Sequence, residues 1–287
     1  MPHYKTKKNK IRTSSRDSED SGYDSGYESD GGTKYSPVKN LGSKGDYAQA
    51  RLFQSRSNKA VAVLNPVVTP GDIEEARVKR RFFQTVYPEK QSYLFNIEKG
   101  MDYRLVVPYI PHIPYKELII DNPKLQKILF GSAVNALKDC HDKGIIVLDL
   151  KSDNIYYDSS TQKSYLIDGG LSVPTGTGIE PLAFQKSNQD IVEQHKKDYN
   201  YKHISPECWS VDPNIVLATP QMDIYALGVL MSDLLKNPDS EIQSLIDSCL
   251  ENDPKKRPTL VDLIVSLDLI QEIENAEEGL APFKVFR

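Results

Sequence analysis

The first half of the chain alternates apolar and polar positions over short runs, a pattern typical of half-buried strands. Residues 55–58 form a polar turn between two of these runs, and 99–100 form a Lys-Gly turn between two others. A helix is predicted over 72–84, because Glu74 and Glu75 stand in its first turn, where the helix dipole favours acids. The predicted strands are 47–53, 59–64, 93–97 and 103–107.

The second half carries apolar residues at helical spacing over longer windows. Two short apolar runs, 144–148 and 165–167, each lead instead into an acidic turn. A strand-rich front followed by a helix-rich back predicts an α+β fold. The predicted helices are 122–143, 222–235, 240–251 and 259–269.

Composition narrows the broad class of the protein. With 287 residues and 39% hydrophobic content, the chain suits one large domain, or a two-lobed one with a tail. A net charge of −4 gives no reason to expect nucleic-acid binding. Three cysteines without metal-ligand spacing argue against a full disulfide framework and favour a reducing compartment. No apolar run approaches the roughly 20 residues of a membrane span, and the basic N-terminus lacks the apolar core of a signal peptide.

Residues 1–40 are predicted to be a disordered tail, because they hold few aliphatic side chains and many Ser, Gly, Asp and Lys. The tail repeats Asp-Ser-Gly-Tyr at 20–23 and 24–27, and both copies match the pattern D-S-G-x-x-S. This pattern resembles a phosphodegron read by eukaryotic ubiquitin ligases, in which phosphorylation would add about −1.5 to −2 charges per serine. The alternative is a solvated acidic linker.

Four residues near the middle of the chain form a candidate catalytic set. Asp149 and Asp168 each follow an apolar run, with Lys151 and Asn154 close behind the first acid. Phosphoryl transfer needs an acid to orient a hydroxyl, a cation for the moving phosphoryl group, and oxygen ligands for Mg²⁺. These residue types therefore point to phosphoryl transfer.

The same stretch resembles the protein kinase superfamily. Residues 149–154 are similar to the catalytic loop H-R-D-L-K-x-x-N, and 168–170 to the metal-binding D-F-G. Val147 and Leu148 stand where the family has His and Arg, and Gly169 where it has Phe. The resemblance implies that Asp149 orients the acceptor hydroxyl, that Lys151 stabilises the phosphoryl group, and that Asn154 and Asp168 hold Mg²⁺. It also implies ATP as the phosphoryl donor.

More motifs follow in the family's order. The resemblance implies a bilobal kinase-like fold, with a small β-rich N-lobe over 41–110, a larger helical C-lobe over 111–270 and an acidic C-terminal tail over 271–287. It also implies an ion pair between Glu207 and Arg257. The motifs are 141–146 before the catalytic loop, Ser205-Pro206-Glu207 for A-P-E, 223–228 for D-x-W-x-x-G, and 253–259 around Arg257.

The predicted N-lobe departs from the family. Gly42, Lys44 and Gly45 lie where a glycine-rich phosphate loop belongs, and Leu64 replaces the phosphate-contacting Lys of the third strand. Two residues, Lys44 and Lys79, are candidates to supply that cation instead, and the alternative is that both are solvated surface lysines. The hinge that binds adenine through its backbone is expected at Pro108, Tyr109 and Ile110.

Three functions remain open from the sequence. The leading one is a divergent Ser/Thr protein kinase, since Lys151 is typical of Ser/Thr rather than Tyr kinases. The second is a pseudokinase scaffold, suggested by Leu64, and the third is a kinase-fold enzyme that transfers AMP or another group. The expected partners are a protein substrate and a host ubiquitin-ligase reader or host activator, with no nucleic acid and no membrane span.

The acidic C-terminus suggests where the protein acts. Glu272, Glu274, Glu277 and Glu278 resemble the glutamate-rich signal of bacterial type IV secreted effectors. The expected location is therefore the cytoplasm of a host cell, or otherwise the cytoplasm of the cell that makes the protein. An acidic final helix is the alternative. Among the remaining positions, Trp209 is expected in the core and His112, His195 and His203 on solvent-facing loops.

Overall fold

The computed structural model describes residues 27–28, 34–41, 50–55, 60–67, 70–88, 93–96, 103–109, 113–115, 118, 122–179, 201–209 and 215–277. The chain divides into two compact units, Met1–Tyr109 and Ile110–Arg287. The boundary predicted from the sequence, between 110 and 111, lies one residue further on. Helices and small sheets are mixed along the chain, which makes it an α+β protein.

The first unit contains an antiparallel sheet of six strands in the order β1-β2-β3-β4-β6-β5. Its register places Leu64 of β4 opposite Ala50 of β3 on one side and Leu105 of β6 on the other. The strands are β1 (Tyr27–Glu28), β2 (Lys34–Leu41), β3 (Ala50–Ser55), β4 (Ala60–Val67), β5 (Tyr93–Asn96) and β6 (Tyr103–Pro108).

Strand β1 and all of β2 except Leu41 lie in the segment 1–40, for which the sequence predicted a disordered tail. Pairing explains the difference, because β2 forms a ladder with β3 from Tyr35 opposite Ser55 to Leu41 opposite Ala50. Backbone hydrogen bonds in a ladder stabilise a strand whose side chains alone predict little structure. The repeated Asp-Ser-Gly motif begins at 20 and lies mainly outside the described residues.

Helix α1 (Pro70–Val86) packs an aromatic face inward in the first unit. Phe82 and Phe83 are each 1% exposed, and their rings meet edge to face with centroids 5.7 Å apart. The helix begins two residues before the predicted start, at Pro70, where a proline is tolerated because the first helical N–H has no partner in the helix. This helix and the sheet form the packed part of the unit.

The second unit is built on α2 (Pro123–His141), which begins at an Asn122 cap that accepts the N–H groups of Lys124 and Leu125. Leu129, Phe130 and Leu137 of this helix are fully buried. The helix ends at His141, and the turn after it reaches Gly144, whose φ of +71° suits a residue without a side chain.

Helices α3 (Pro220–Leu234) and α4 (Ser240–Cys249), together with α5, short strands and two 3₁₀ turns, complete the second unit. Helix α3 is apolar on nearly all sides and buried, whereas α5 is longer than predicted and runs from Leu260 to Glu277, into the segment expected to be an acidic tail. The remaining elements are β7 (Ile113–Pro114), β8 (Ile145–Ile146), β9 (Ile155–Asp158), β10 (Lys163–Leu166), β11 (Val173–Pro174), β12 (Gly178–Ile179), β13 (Val216–Leu217), α3 (Pro220–Leu234) and α4 (Ser240–Cys249), with two 3₁₀ turns at Pro206–Trp209 and Pro254–Lys256.

A buried hydroxyl cluster joins the start of this unit to its core. The hydroxyl of Tyr115, a fully buried residue, lies 2.5 Å from Ser164 Oγ of β10 and 3.2 Å from Ser132 Oγ of α2. It also donates to the backbone carbonyl of Leu129 at 3.0 Å. Burial raises the pKa of Tyr115, so the phenol stays protonated and the cluster is a neutral hydrogen-bonded network.

The three cysteines, Cys140, Cys208 and Cys249, are buried free thiols. Burial raises the pKa of Cys249 to about 12 and that of Cys208 to about 11, so neither is a reactive thiolate at neutral pH. Within the described ranges, the helices are too short or too polar to cross a membrane.

Candidate active site

Asp223, in the first turn of α3, accepts hydrogen bonds from the turn that carries Asp149. Asp223 is fully buried, and its carboxylate accepts the backbone N–H groups of Val147 at 2.7 Å and Leu148 at 2.8 Å. His141 Nε2 lies 2.9 Å from the same carboxylate. These contacts fix a backbone in which Leu148 has a φ of +64°, a left-handed conformation that costs a leucine about 1–2 kcal/mol.

The side chain of Asp149 receives donors on both oxygens. Lys151 Nζ lies 3.0 Å from Oδ1 and 2.9 Å from Oδ2, and Asn154 Nδ2 donates to Oδ2 at 2.8 Å. His203 Nε2 lies 2.8 Å from Oδ1. The structure thus brings three of the four predicted catalytic and metal residues together and adds a histidine to them.

Electrostatics keep Asp149 ionised. Burial alone would raise the pKa of this carboxyl, but the hydrogen bond from His203 and the charge of Lys151 outweigh it, so the pKa lies below its ordinary value. Its carboxylate can therefore accept a hydrogen bond from a hydroxyl throughout the neutral range.

The fourth predicted residue, Asp168, is brought near this group by the hairpin of β9 and β10. Asn154 directly precedes β9, and the strand pair ends with Ile155 opposite Leu166. The N–H of Ile167 donates to the carbonyl of Asn154 at 2.9 Å. Asp168 is the next residue after Ile167, so this hydrogen bond places its backbone close to that of Asn154. Its Oδ1 accepts the N–H of Gly170 at 2.9 Å, which closes a tight turn after the strand.

The side-chain oxygen atoms at this end of the hairpin are of the kind that bind a hard divalent cation. Asn154 uses its amide nitrogen toward Asp149, so its amide oxygen is the atom suited to a metal, and Asp168 supplies a carboxylate. Mg²⁺ prefers oxygen ligands and is often held by one or two protein groups together with phosphates. Among the described residues there is no cluster of three or more His, Cys, Asp and Glu side chains that could hold a metal without such help.

The segment 201–209 is anchored behind the site. Glu207 forms a two-point pair with Arg257, with Nη1 at 2.8 Å from Oε1 and Nη2 at 2.9 Å from Oε2. The guanidinium is fully buried and also donates to the carbonyls of Gln221 and Glu251. The ion pair predicted from the sequence is confirmed, and Trp209 is buried as expected.

His203 corrects a prediction. It was expected on a solvent-facing loop but is only 4% exposed, because its ring is buried against Asp149. A histidine that lies two residues before Ser205-Pro206-Glu207 carries no local signal of this contact, since its partner is 54 positions away. His112 and His195 lie outside the described residues.

The predicted nucleotide residues of the first unit are described in part. Lys79 lies on α1 with Nζ 2.8 Å from Glu75 Oε1, and its side chain is partly buried, at 15% exposed. Pro108 ends β6 opposite Val61, and Tyr109 follows it. Leu64 lies within the ladder of β4. Gly42, Lys44, Gly45 and Ile110 lie outside the described residues.

Comparison with known proteins gives a coarse class. No protein-family model matches the chain. It is 24% identical over 170 residues to the mitogen-activated protein kinase kinase kinase 15 of Mus musculus, covering 53% of this chain and 12% of that protein. It is 22% identical over 161 residues to the membrane-associated tyrosine- and threonine-specific cdc2-inhibitory kinase of Drosophila melanogaster, covering 53% of this chain and 30% of that protein.

The chain thus spans less than a third of the length of either of these relatives. Both are protein kinases by name, and the two partial similarities support a kinase-like superfamily for this chain. They agree with the class that the residues around Asp149 indicate.

Proposed function

We propose that the protein is a kinase that transfers the γ-phosphoryl group of ATP to a hydroxyl of a protein substrate. The observation that carries the proposal is the convergence of the Lys151 ammonium and the Asn154 amide on the Asp149 carboxylate, at 2.9 Å and 2.8 Å. An ionised acid, a cation and a metal-binding amide within one turn are what phosphoryl transfer requires. The bilobal kinase arrangement is part of this proposal.

Each residue has a role in the proposed reaction. Asp149 accepts the hydrogen bond of the acceptor hydroxyl and orients it for attack. Lys151 is 36% exposed on a flexible stem, so its ammonium can leave Asp149 and stabilise the charge of the transferring group. Asn154 and Asp168 would hold Mg²⁺, which supplies charge neutralisation between the phosphates when ATP is bound.

The acceptor is proposed to be Ser or Thr, because Lys151 resembles the lysine of Ser/Thr kinases. The acidic C-terminal residues and the Asp-Ser-Gly repeat support a second proposal, that the protein acts as a type IV secreted effector in a host cytoplasm. There a host ubiquitin-ligase reader or a host activator would be its partner. Phosphorylation of the repeat, followed by binding to such a reader, would support this part.

One observation favours a scaffold instead of an enzyme. Leu64 occupies the strand position of the family lysine and pairs within the ladder with Leu105. A pseudokinase would bind partners through the same fold without transferring phosphate. The retention of Asp149, Lys151, Asn154 and Asp168 as a set favours the enzyme, and transfer of AMP is the remaining outcome of the same assay.

Labelled ATP separates these functions. The full chain is incubated with Mg²⁺, a general protein substrate, and ATP labelled at the γ or the α position. Label from the γ position on protein supports a kinase, label from the α position supports AMP transfer, and no label supports a scaffold. Asp168→Ala is expected to abolish transfer, whereas Asp139→Ala, exposed on α2, is the matched control.

The source of the missing cation is tested separately. Lys44→Met and Lys79→Met are compared in the γ-label assay, with Lys163→Met, at an exposed position of β10, as the control. Loss of transfer in one variant identifies the residue that replaces the lysine absent at Leu64. Full activity of both would contradict the idea that the cation has moved to either position.

A further inference from the structure

A buried contact links the proposed catalytic acid to a segment far away in sequence. His203 is 4% exposed, and its Nε2 lies 2.8 Å from Asp149 Oδ1. A carboxylate only accepts hydrogen bonds, and burial has not prevented the ionisation of Asp149, so Nε2 carries the hydrogen and donates it. The contact is therefore an oriented hydrogen bond rather than a chance approach.

The carboxylate of Asp149 is fully used in this arrangement. Oδ1 receives His203 and Lys151, and Oδ2 receives Lys151 and Asn154. A carboxylate offers about four lone-pair sites, so a substrate hydroxyl can bind only after one donor leaves. Lys151 is the donor suited to leave, because its side chain is 36% exposed and flexible. In the proposed reaction its ammonium would then bind the transferring phosphoryl group.

Once Lys151 has left, Asp149 keeps the hydrogen bonds from Asn154 and His203. Asn154 lies in the same short turn as Asp149 and moves with it, whereas His203 belongs to another segment. That segment is fixed by the N–H of Ile204 on the carbonyl of Tyr201 at 3.0 Å and by Trp209 Nε1 on the carbonyl of Ile204 at 3.3 Å. The pair of Glu207 with Arg257 ties its far end to the start of α3.

We propose that His203 is a positioning residue for Asp149: it pins Oδ1 to the 201–209 segment, so that the site vacated by Lys151 on Oδ2 accepts the substrate hydroxyl. The proposal rests on the proposed kinase function. It assigns a role in the reaction to a residue outside the catalytic turn, and it makes the orientation of the acid depend on the segment that Glu207 and Arg257 anchor.

The test compares two substitutions that keep the buried volume. His203→Leu fills the site without a donor, whereas His203→Gln places an amide N–H near the position of Nε2. We expect His203→Leu to lower kcat by about 100-fold, the size of a misplaced catalytic group, with the KM for ATP unchanged. His203→Gln should recover most of kcat, and equal thermal unfolding of the two variants would exclude loss of fold as the cause.

Three results would overturn the proposal. One is wild-type kcat in His203→Leu, and another is a Gln variant as slow as the Leu variant. The third is a rise in kcat, which would mean that His203 blocks the acid. If His203→Leu does not fold, the Gln variant and the spectroscopic measurement below decide.

A second measurement does not need activity. In the wild-type chain, ¹H–¹⁵N spectra of the imidazoles should show a slowly exchanging Nε2–H signal for His203, and Asp149→Ala should remove its protection. If wild-type protein transfers no label from ATP, the kinase proposal fails, while this signal still decides whether His203 holds Asp149. Absence of the protected signal in wild type would contradict the positioning contact itself.

Discussion

The carboxylate of Asp223 accepts the backbone N–H of Leu148, the residue that adopts a left-handed conformation directly before Asp149. Two buried N–H groups and one imidazole converge on this acid. The strained turn is therefore stabilised by a fully buried residue of α3. Asp223 acts on the site through backbone geometry.

Replacing Asp223 tests this support. Asp223→Ala leaves the N–H groups of Val147 and Leu148 without their acceptor, at about 1–3 kcal/mol each, so we expect a total loss of about 2–6 kcal/mol in the free energy of unfolding. Asp223→Asn should fall in between, because one amide oxygen remains. Ser232→Ala, exposed on the same helix, is the control, and equal urea midpoints for Asp223→Ala and the control would contradict the assignment.

The pair of Glu207 and Arg257 should be among the most sensitive contacts of the second unit. Arg257→Met removes a fully buried guanidinium that serves Glu207 and neighbouring carbonyl groups, and we expect a loss of about 3–5 kcal/mol. A double-mutant cycle with Glu207→Gln measures the coupling by urea unfolding. Lys256→Met, exposed at the adjacent position, should change stability little, and additive effects of the two substitutions would argue against a direct pair.

Two glycines on helices should respond to alanine in opposite directions. A Cβ at Gly228 of α3 would lie 2.8 Å from Cys249 Cβ and 3.0 Å from Leu250 Cδ2, so Gly228→Ala should cost about 1–3 kcal/mol. Gly131 of α2 has nothing within 4 Å, and Gly131→Ala should stabilise by about 0.5–1 kcal/mol through helix propensity. Thermal unfolding of both checks the contrast, and a neutral Gly228→Ala would mean that α3 and α4 pack less closely.

Asp239, the residue that caps α4, should make the stability of the protein depend on pH. Burial alone would raise the pKa of Asp239, but the N–H of Ile242 at 2.8 Å and Lys127 at 3.1 Å outweigh it and lower the pKa. A depressed folded pKa stabilises above the unfolded value of about 3.9, and the effect is lost as pH falls through the folded pKa. Wild type should exceed Asp239→Asn in stability by about 1 kcal/mol at neutral pH, and the difference should shrink as the pH falls below about 3.9.

Urea titrations at several pH values measure that difference. Asparagine keeps an acceptor for Ile242, so the comparison isolates the charge and not the cap. Asp268→Asn, exposed on α5, serves as the matched control for the substitution itself. A gap between wild type and Asp239→Asn that persists unchanged to pH 3 would contradict the ion pair with Lys127.

Local patterns predicted helices α1 to α5 and strands β3 to β6. Helix α2 was expected over 122–143 and spans Pro123–His141, because Asn122 is a strong cap and Gly144 a strong stop. Helix α5 continued past the predicted end at 269, since its acidic residues are good helix formers and do not terminate a helix. Strand β2 was missed because the pairing that stabilises it is with β3 and has no local signature.

The candidate site was predictable where its residues are close in sequence. One turn carries Asp149, Lys151 and Asn154, so their spacing in the sequence alone predicted that they share a site. His203 could not be found in this way, because it reaches Asp149 only through the folding of the 201–209 segment. Burial of a lone histidine depends on tertiary contacts that hydrophobic periodicity does not encode.

The two acids of the site, Asp149 and Asp168, depend on contacts of very different sequence separation. Asn154 and Asp168 flank a hairpin whose paired residues are close in sequence, and local pairings form faster than long-range ones. The placement of Asp149 instead relies on partners 54 and 76 positions away. A chain whose long-range contacts have opened would therefore keep the hairpin between Asn154 and Asp168 while it loses the orientation of Asp149. Under the proposed function, phosphoryl transfer would then fail before metal binding does.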